Sequence, residues 1–323
     1  MAEPEKFDDH DISLSIARAS EAAALAAGLY IGLGDEMAMT EASVQAAIEA
    51  LNRMPFDGRI VIGEGDEGDA DTLFTGQTVG TGNGPRVDIA IDPLEGRTLA
   101  VKDQPNALSV IAVAQRGTML ETPDIYMEKL AIGPGYPDGL ITLEMPTADK
   151  IAALSKAKEE PPHHLTICVL DRPRHSDLVA EIRATGARVR LIDDGDVAAI
   201  MHCAAPLVSG VDMYLGSGGA AQGVLAAAAL KCLGGQMQTR FVLRNGDDAA
   251  LLRAQGLENS AEIMGIDDMV AGDVVFAATG VTNGPTLAGL RRAGPYFEAE
   301  TLLLRSRTGA TRRLSYRRRI KEE

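Results

Sequence analysis

The sequence has no tryptophan, and aromatic residues make up only 4% of its 323 positions. Stacking platforms for bases or sugar rings are therefore scarce. Positive charge is also short: 31 Lys and Arg stand against 46 Asp and Glu, a net charge of −15. So acidic a chain is not built to adhere to nucleic acid or to an anionic membrane. If its substrate is anionic, it needs local help from a metal ion or from arginines. No apolar run is long enough to span a bilayer, and the polar, acidic first eleven residues lack a signal-peptide pattern. The cysteines, Cys168, Cys203 and Cys232, have spacings that fit no metal site and read as reduced thiols of a cytoplasmic protein. What remains is a globular chain, 46% hydrophobic, with enough core for one large or two modest domains.

Against these absences stands the stretch Asp88-Ile89-Ala90-Ile91-Asp92-Pro93-Leu94-Glu95-Gly96-Arg97-Thr98. Residues 87–91 read as an apolar strand ending at Asp92, where Pro93 cannot donate to a ladder and is expected to turn the chain. Asp92 and Glu95 then share one short turn at the strand's C-terminal lip, and Gly96 lets backbone approach a ligand. Two carboxylates so placed suit Mg²⁺ or Mn²⁺, and equally suit a solvated acidic turn. A second acidic strand end follows residues 59–63: Gly63-Glu64-Gly65-Asp66-Glu67-Gly68-Asp69.

The N-terminal half, to about residue 147, reads as α+β. Helices are expected over 12–29 and 40–52, the second started by Thr40, with an apolar strand buried on both faces at 107–114. Past residue 150 strands and helices alternate. Strands at 165–170, 188–192 and 212–215 are interleaved with helices at 148–157, 176–185, 197–202 and 222–233. This pattern predicts a parallel α/β sheet with ligands beyond its C-terminal strand ends. The loops there are 171–175, 193–196 and 216–220. Residues 240–262 are charged, weakly patterned and expected to be peripheral. A strand at 273–279 and a hairpin of 301–305 with 311–316 close the chain. The basic tail reads as an edge strand protected by charge rather than as a nucleic-acid patch. The expected division is a domain of 1–150 and a second of 151–323.

The turn Asp92-Pro93-Leu94-Glu95-Gly96-Arg97-Thr98 resembles the Asp-Pro-[Ile/Leu]-[Asp/Glu]-Gly-Thr signature of the Mg²⁺/Li⁺-sensitive sugar-phosphate phosphatases. The stretches beginning at Ile62, Pro123, Arg172, Asp194, Gly218 and Phe276 narrow the resemblance to the class II, GlpX-type fructose-1,6-bisphosphatases, over nearly the whole chain. It implies a layered αβαβα architecture and hydrolysis of the 1-phosphate of fructose 1,6-bisphosphate in gluconeogenesis. It also implies Mn²⁺ or Mg²⁺ as cofactor, a sugar bisphosphate as partner, and a homo-oligomer, dimer or tetramer. Carried over by position, Glu64, Asp92, Glu95 and Thr98 are the catalytic residues. Glu64, Asp92 and Glu95 are metal ligands, with Thr40 and Gln222 as weakened ones. Glu95, Gly96, Arg97, Tyr126, Arg172, Pro173, Arg174, Asp194, Gly195, Asp196 and Gly219 bind substrate.

The chain departs from the family at several of these positions. Thr40 and Gln222 replace an Asp and a Glu, and Arg172 and Glu36 replace lysines. Gly68 replaces the Asp that orients water, and Arg97 displaces a Thr to position 98. The changes at 40 and 222 each remove a negative charge, whereas Arg97 adds a fixed positive one. The expectation is that its guanidinium takes the place of one metal ion, pairing with Asp92, Glu95 or Glu64 while still attracting phosphate. Compensation could come from Asp66, Glu67 or Asp69, from Glu36, and from Thr98. Two readings stay open: a metal-dependent sugar-bisphosphate phosphatase, or an impaired relative that binds a sugar phosphate as sensor or partner of an active enzyme.

Overall fold

The computed structural model describes residues 9–319 except Glu67, Asp69 and Glu258. In chain order its elements are α1 (Asp9–Gly28), α2 (Glu36–Leu51), β1 (Asp57–Ile62), β2 (Thr78–Val79), β3 (Arg86–Glu95), α3 (Arg97–Val101) and β4 (Leu108–Gln115). Next come β5 (Tyr126–Ile132), α4 (Thr147–Lys158), β6 (Thr166–Leu170), α5 (Ser176–Ala184), β7 (Arg188–Ile192), α6 (Asp196–Cys203) and α7 (Pro206–Ser209). They continue with β8 (Met213–Gly219), α8 (Ala220–Leu233), β9 (Gln236–Val242), α9 (Gly246–Ala254), β10 (Met264–Gly265) and α10 (Ile266–Met269). The last are β11 (Val274–Gly280), β12 (Arg291–Ala293), β13 (Tyr296–Arg305) and β14 (Ala310–Arg319). Helices followed by mixed sheets with interleaved helices make this an α/β fold.

The chain forms two compact units, Met1–Glu121 with Val270–Glu323, and Thr122–Met269. The sequence reading set a single division at residue 150. In the structure β5 belongs with the strands that follow it, and the C-terminal strands pair with β4, which no local composition change announces.

The first unit is built on a sheet of order β12-β13-β11-β4-β3-β1-β2, with β14 paired to β13. Ile12, Ile16, Ala19 and Ala23 recur every three or four residues along α1 and pack, with Ala47, Ile48 and Leu51 of α2, on one face of the sheet. That face is made of alternate strand residues, among them Ile89, Ile91, Ile111, Val113, Val275 and Ala277. Each large aliphatic buried there contributes about 1.5–3 kcal/mol. As expected, β4 is buried along all but its last residue. The terminal hairpin is longer than expected, and β14 is its exposed, arginine-rich edge.

Two local expectations are corrected. Helix α2 starts at Glu36, because the Asp35 carboxylate caps it by accepting from the Ala38 N–H at 3.0 Å, which puts Thr40 inside the helix. The strand at Asp92 does not end at Pro93 but runs on to Glu95. Asp92 faces Val110 and Glu95 faces Leu108, so β3 spends three steps where β4 spends two. This is a bulge, a position where the missing N–H of a proline is tolerated.

The second unit has a sheet of order β10-β9-β5-β8-β6-β7. The expected parallel pairing holds for β7-β6-β8, but β5 runs antiparallel between β8 and β9, so the sheet is mixed. Strand β5 precedes the alternating region in sequence and inserts into it. Residues 236–242, partly assigned to a peripheral stretch, form β9, an inner strand. Ile151 and Leu154 of α4 and Ile182 of α5 pack with Leu130, Ile132, Ile167, Val169 and Leu215 of the sheet.

Candidate functional site

The first unit brings Glu64, Asp92, Glu95, Gly96, Arg97, Thr98 and Thr40 onto neighbouring elements. Glu64 follows β1, and its N–H donates to the Leu73 carbonyl at 2.9 Å. The β3 bulge is secured twice. Asp92 Oδ1 accepts from the Leu94 N–H at 3.1 Å, and Ser43 of α2, fully buried, donates to the Pro93 carbonyl at 2.8 Å. Gly96 takes a left-handed φ of 78°, closed to most side chains, and becomes the N-cap of the short α3. The turn thus comes one residue after Glu95 and presents Arg97 and Thr98 in the first turn of α3. Asp92 and Glu95 are 9% and 2% exposed.

Arg97 NH2 donates to Glu64 Oε2 at 2.5 Å. Burial acts against the guanidinium charge, but Glu64, Asp92 and Glu36 outweigh it and hold the Arg97 pKa above its ordinary value. Of the partners expected for Arg97, Glu64 is the one bonded, with Asp92 close enough to act on it. As they stand, two of these carboxylates already have partners. Arg97 takes a Glu64 oxygen and the bulge takes Asp92 Oδ1. Among the described residues no three His, Cys, Asp or Glu side chains are arranged to hold a metal. Glu67 and Asp69, expected as compensating acids, lie outside the described residues.

The second unit gathers strand ends at one edge. Residues Arg172 and Arg174 follow β6, and Asp194 follows β7. Tyr126 opens β5 opposite Gly219 of β8 and Val242 of β9. This is the C-terminal edge of the parallel strands, where open α/β sheets bind ligands. Arg174 donates from Nε to Ser217 Oγ at 3.0 Å and from NH2 to the Ser217 carbonyl at 2.6 Å. Its guanidinium carbon lies 4.7 Å from the Tyr126 ring centroid.

His175 supports that arrangement. Its Nδ1 can only donate to the Leu170 carbonyl, 2.8 Å away, so Nε2 accepts from the Ser217 N–H at 2.9 Å. Burial, with help from Arg174 and Arg172, holds the His175 pKa below its ordinary value, against the Leu170 bond, which favours the neutral form these contacts need.

Asp196 is buried, and its Oδ2 accepts from Lys129 Nζ at 2.5 Å. The pair needs Gly218: a Cβ there would lie 2.5 Å from the Asp196 carboxylate. Gly195 donates its N–H to Asp194 Oδ1 at 2.9 Å and caps α6. Gln222, in the first turn of α8, packs its side-chain amide over Gly219. Pro173 opens a short 3-10 turn, exposed between the two arginines.

The family model for bacterial fructose-1,6-bisphosphatase, glpX-encoded, matches residues 10–318. The chain is 40% identical over 318 residues to fructose-1,6-bisphosphatase 1 class 2 of Escherichia coli strain K12, covering 94% of each protein. It belongs to the glpX-type fructose-1,6-bisphosphatase family. Fructose-1,6-bisphosphatase class 2 of Shigella flexneri matches to the same extent.

Within this family member, sequence reasoning missed Arg244. Its guanidinium carbon lies 4.5 Å from the Tyr126 centroid, approaching from the β9 side while Arg174 comes from the β8 side. Asp248, one helical turn on, holds it through Nε and NH2, both at 3.0 Å. Asn245 caps α9 through the Asp247 and Asp248 N–H groups, fixing Asp248 in place. The signal was Arg-Asn-Gly-Asp-Asp, a cap with an acid four residues after the arginine. Cys168 and Cys203 are poor nucleophiles: burial pushes the Cys168 thiol up to about 12 and Cys203 well above its ordinary value.

Proposed function

We propose that this protein is a sugar-bisphosphate phosphatase that hydrolyses the 1-phosphate of fructose 1,6-bisphosphate. The observation that carries the reading is the 40% identity, over 94% of both chains, to a protein named for that substrate. The second unit supports it independently with a phosphate receptor. Arg174 and Arg244 flank Tyr126 at a sheet edge, with Arg172 two positions before Arg174, on a chain whose net charge of −15 would otherwise repel an anion. In the first unit Arg97 supplies positive charge beside Asp92 and Glu64, with Thr98 in the same helical turn.

The reaction adds water across the phosphate ester, giving fructose 6-phosphate and inorganic phosphate. The reading calls for a divalent cation, Mn²⁺ or Mg²⁺, and sets Glu64, Asp92 and Glu95 nearest the chemistry. It also carries a homo-oligomeric state and a cytoplasmic location. All three cysteines are buried, and no helix among the described residues is long and apolar enough to cross a membrane.

The test is phosphate release from fructose 1,6-bisphosphate with millimolar Mn²⁺ or Mg²⁺, beside Asp92→Ala. Turnover abolished by the substitution is the expected result. Turnover no greater than that of the variant would sink the hydrolase reading and leave a sugar-phosphate-binding protein.

A further inference from the structure

The acidic strand end of the first unit carries its own counter-ion. Arg97 and Glu64 come from α3 and from the loop after β1, 33 positions apart, so the fold rather than local sequence makes the pair. Both ends of the guanidinium's surroundings are anchored. Gly96 and the β3 bulge aim Arg97, and the Glu64 backbone is tied to Leu73. The Glu64 side chain is 10% exposed, whereas that of Arg97 is 38% exposed. The anionic partner is thus covered and the cation is open to solvent. A guanidinium has five N–H donors in a planar fork, and the bond to Glu64 uses one of them. The remaining fork suits a phosphate oxygen pair better than it suits a second cation. A divalent ion on Glu64 would have to share the carboxylate with Arg97 and settle beside a like charge that cannot be deprotonated.

We propose that Arg97 is the resident cation of this strand end, excluding a divalent ion from Glu64 and receiving a substrate phosphate directly. The proposal deepens the function given above and rests on a phosphorylated sugar as ligand. It makes phosphate binding at the Asp92–Thr98 turn independent of divalent metal.

The test uses the full-length protein in two arms. In the first, Mn²⁺ is titrated and the free ion is followed by electron paramagnetic resonance, for the wild type, Arg97→Gln and Arg97→Lys, with circular dichroism as the fold control. Arg97→Gln is expected to bind Mn²⁺ at least about tenfold more tightly than the wild type, with Arg97→Lys closer to the wild type. Equal Mn²⁺ affinity in the wild type and Arg97→Gln would overturn the proposal.

In the second arm, calorimetry measures fructose 1,6-bisphosphate binding in excess chelator. Binding that persists in chelator, and that Arg97→Gln weakens about tenfold or more while Arg97→Lys weakens it less, is expected. Binding lost in chelator and restored by Mn²⁺ would overturn it. A wild-type chain that binds the sugar bisphosphate under neither condition overturns the proposed function and the phosphate half of this inference. The Mn²⁺ titration then decides the exclusion half by itself.

Discussion

Two ion pairs of the same length, 2.5 Å, stand beside the two candidate strand edges, and they differ in everything else. Lys129–Asp196 in the second unit is sealed, at 0% and 8% side-chain exposure. Arg97–Glu64 in the first unit has its cation 38% exposed. Distance alone does not say what an ion pair is for; access does. The sealed pair joins β5 to α6 and is closed to solvent. The open pair joins the loop after β1 to α3 and leaves the Arg97 side chain 38% exposed. Asp196→Ala strands a buried ammonium and is expected to cost about 3–5 kcal/mol of stability in urea unfolding. Glu64→Gln, in the same assay, is expected to cost about 1 kcal/mol, because the amide keeps an acceptor for Arg97 and the guanidinium side chain is 38% exposed. Equal losses from the two variants would break the comparison.

A pH series sharpens it from the sealed side. His202, on the same helix α6 as Asp196, is buried, and burial with the nearby Arg190 lowers its pKa to about 4. Its folded pKa lies below the unfolded value of about 6.5, so the unfolded chain takes up the proton first. The stability this neutral histidine contributes is full above pH 6.5 and is lost as pH falls toward 4. The loss is roughly 3 kcal/mol, from a shift of about 2.5 units at 1.36 kcal/mol per unit. His202→Gln removes that part of the slope, so wild-type and variant urea midpoints should converge as pH drops from 7 to 4.5. Parallel curves would show that His202 does not titrate with unfolding.

Much of both edges was legible in the sequence, because the residues that carry them sit in short runs punctuated by glycine and proline. Asp92 to Thr98, Arg172 to His175 and Asp194 to Asp196 each mark a strand end, and each lies at one. What was not legible depended on partners distant in the chain. Pro93 was expected to stop β3, yet the β4 register absorbs it in a bulge, and Ser43 holds that bulge from another element. Thr40 was expected to start a helix that Asp35 caps earlier. The antiparallel insertion of β5, which places Tyr126 among the loops of a parallel sheet, leaves no periodic signature. Arg97 was expected to find an acid, but three candidates were open, and only the fold selects Glu64.

Arg244 gives the narrowest test of the second edge. It shares the Tyr126 ring with Arg174, yet the two are held differently. Arg174 leans on Ser217, whose N–H is anchored by His175, whereas Arg244 is gripped through two nitrogens by Asp248. If the cluster is a phosphate receptor, Arg244→Ala should raise KM for fructose 1,6-bisphosphate about tenfold and leave kcat nearly unchanged, a loss of about 1.4 kcal/mol in binding. The thermal midpoint should hardly move, since Arg244 is largely solvated. Arg244→Lys keeps a charge but not the fork that Asp248 grips, so it should recover part of the affinity. Asp248→Asn should fall between, because it loosens the guanidinium without removing it. Unchanged KM in Arg244→Ala would mean that the guanidinium over Tyr126 is packing alone, and that Arg172 and Arg174 make the receptor without it.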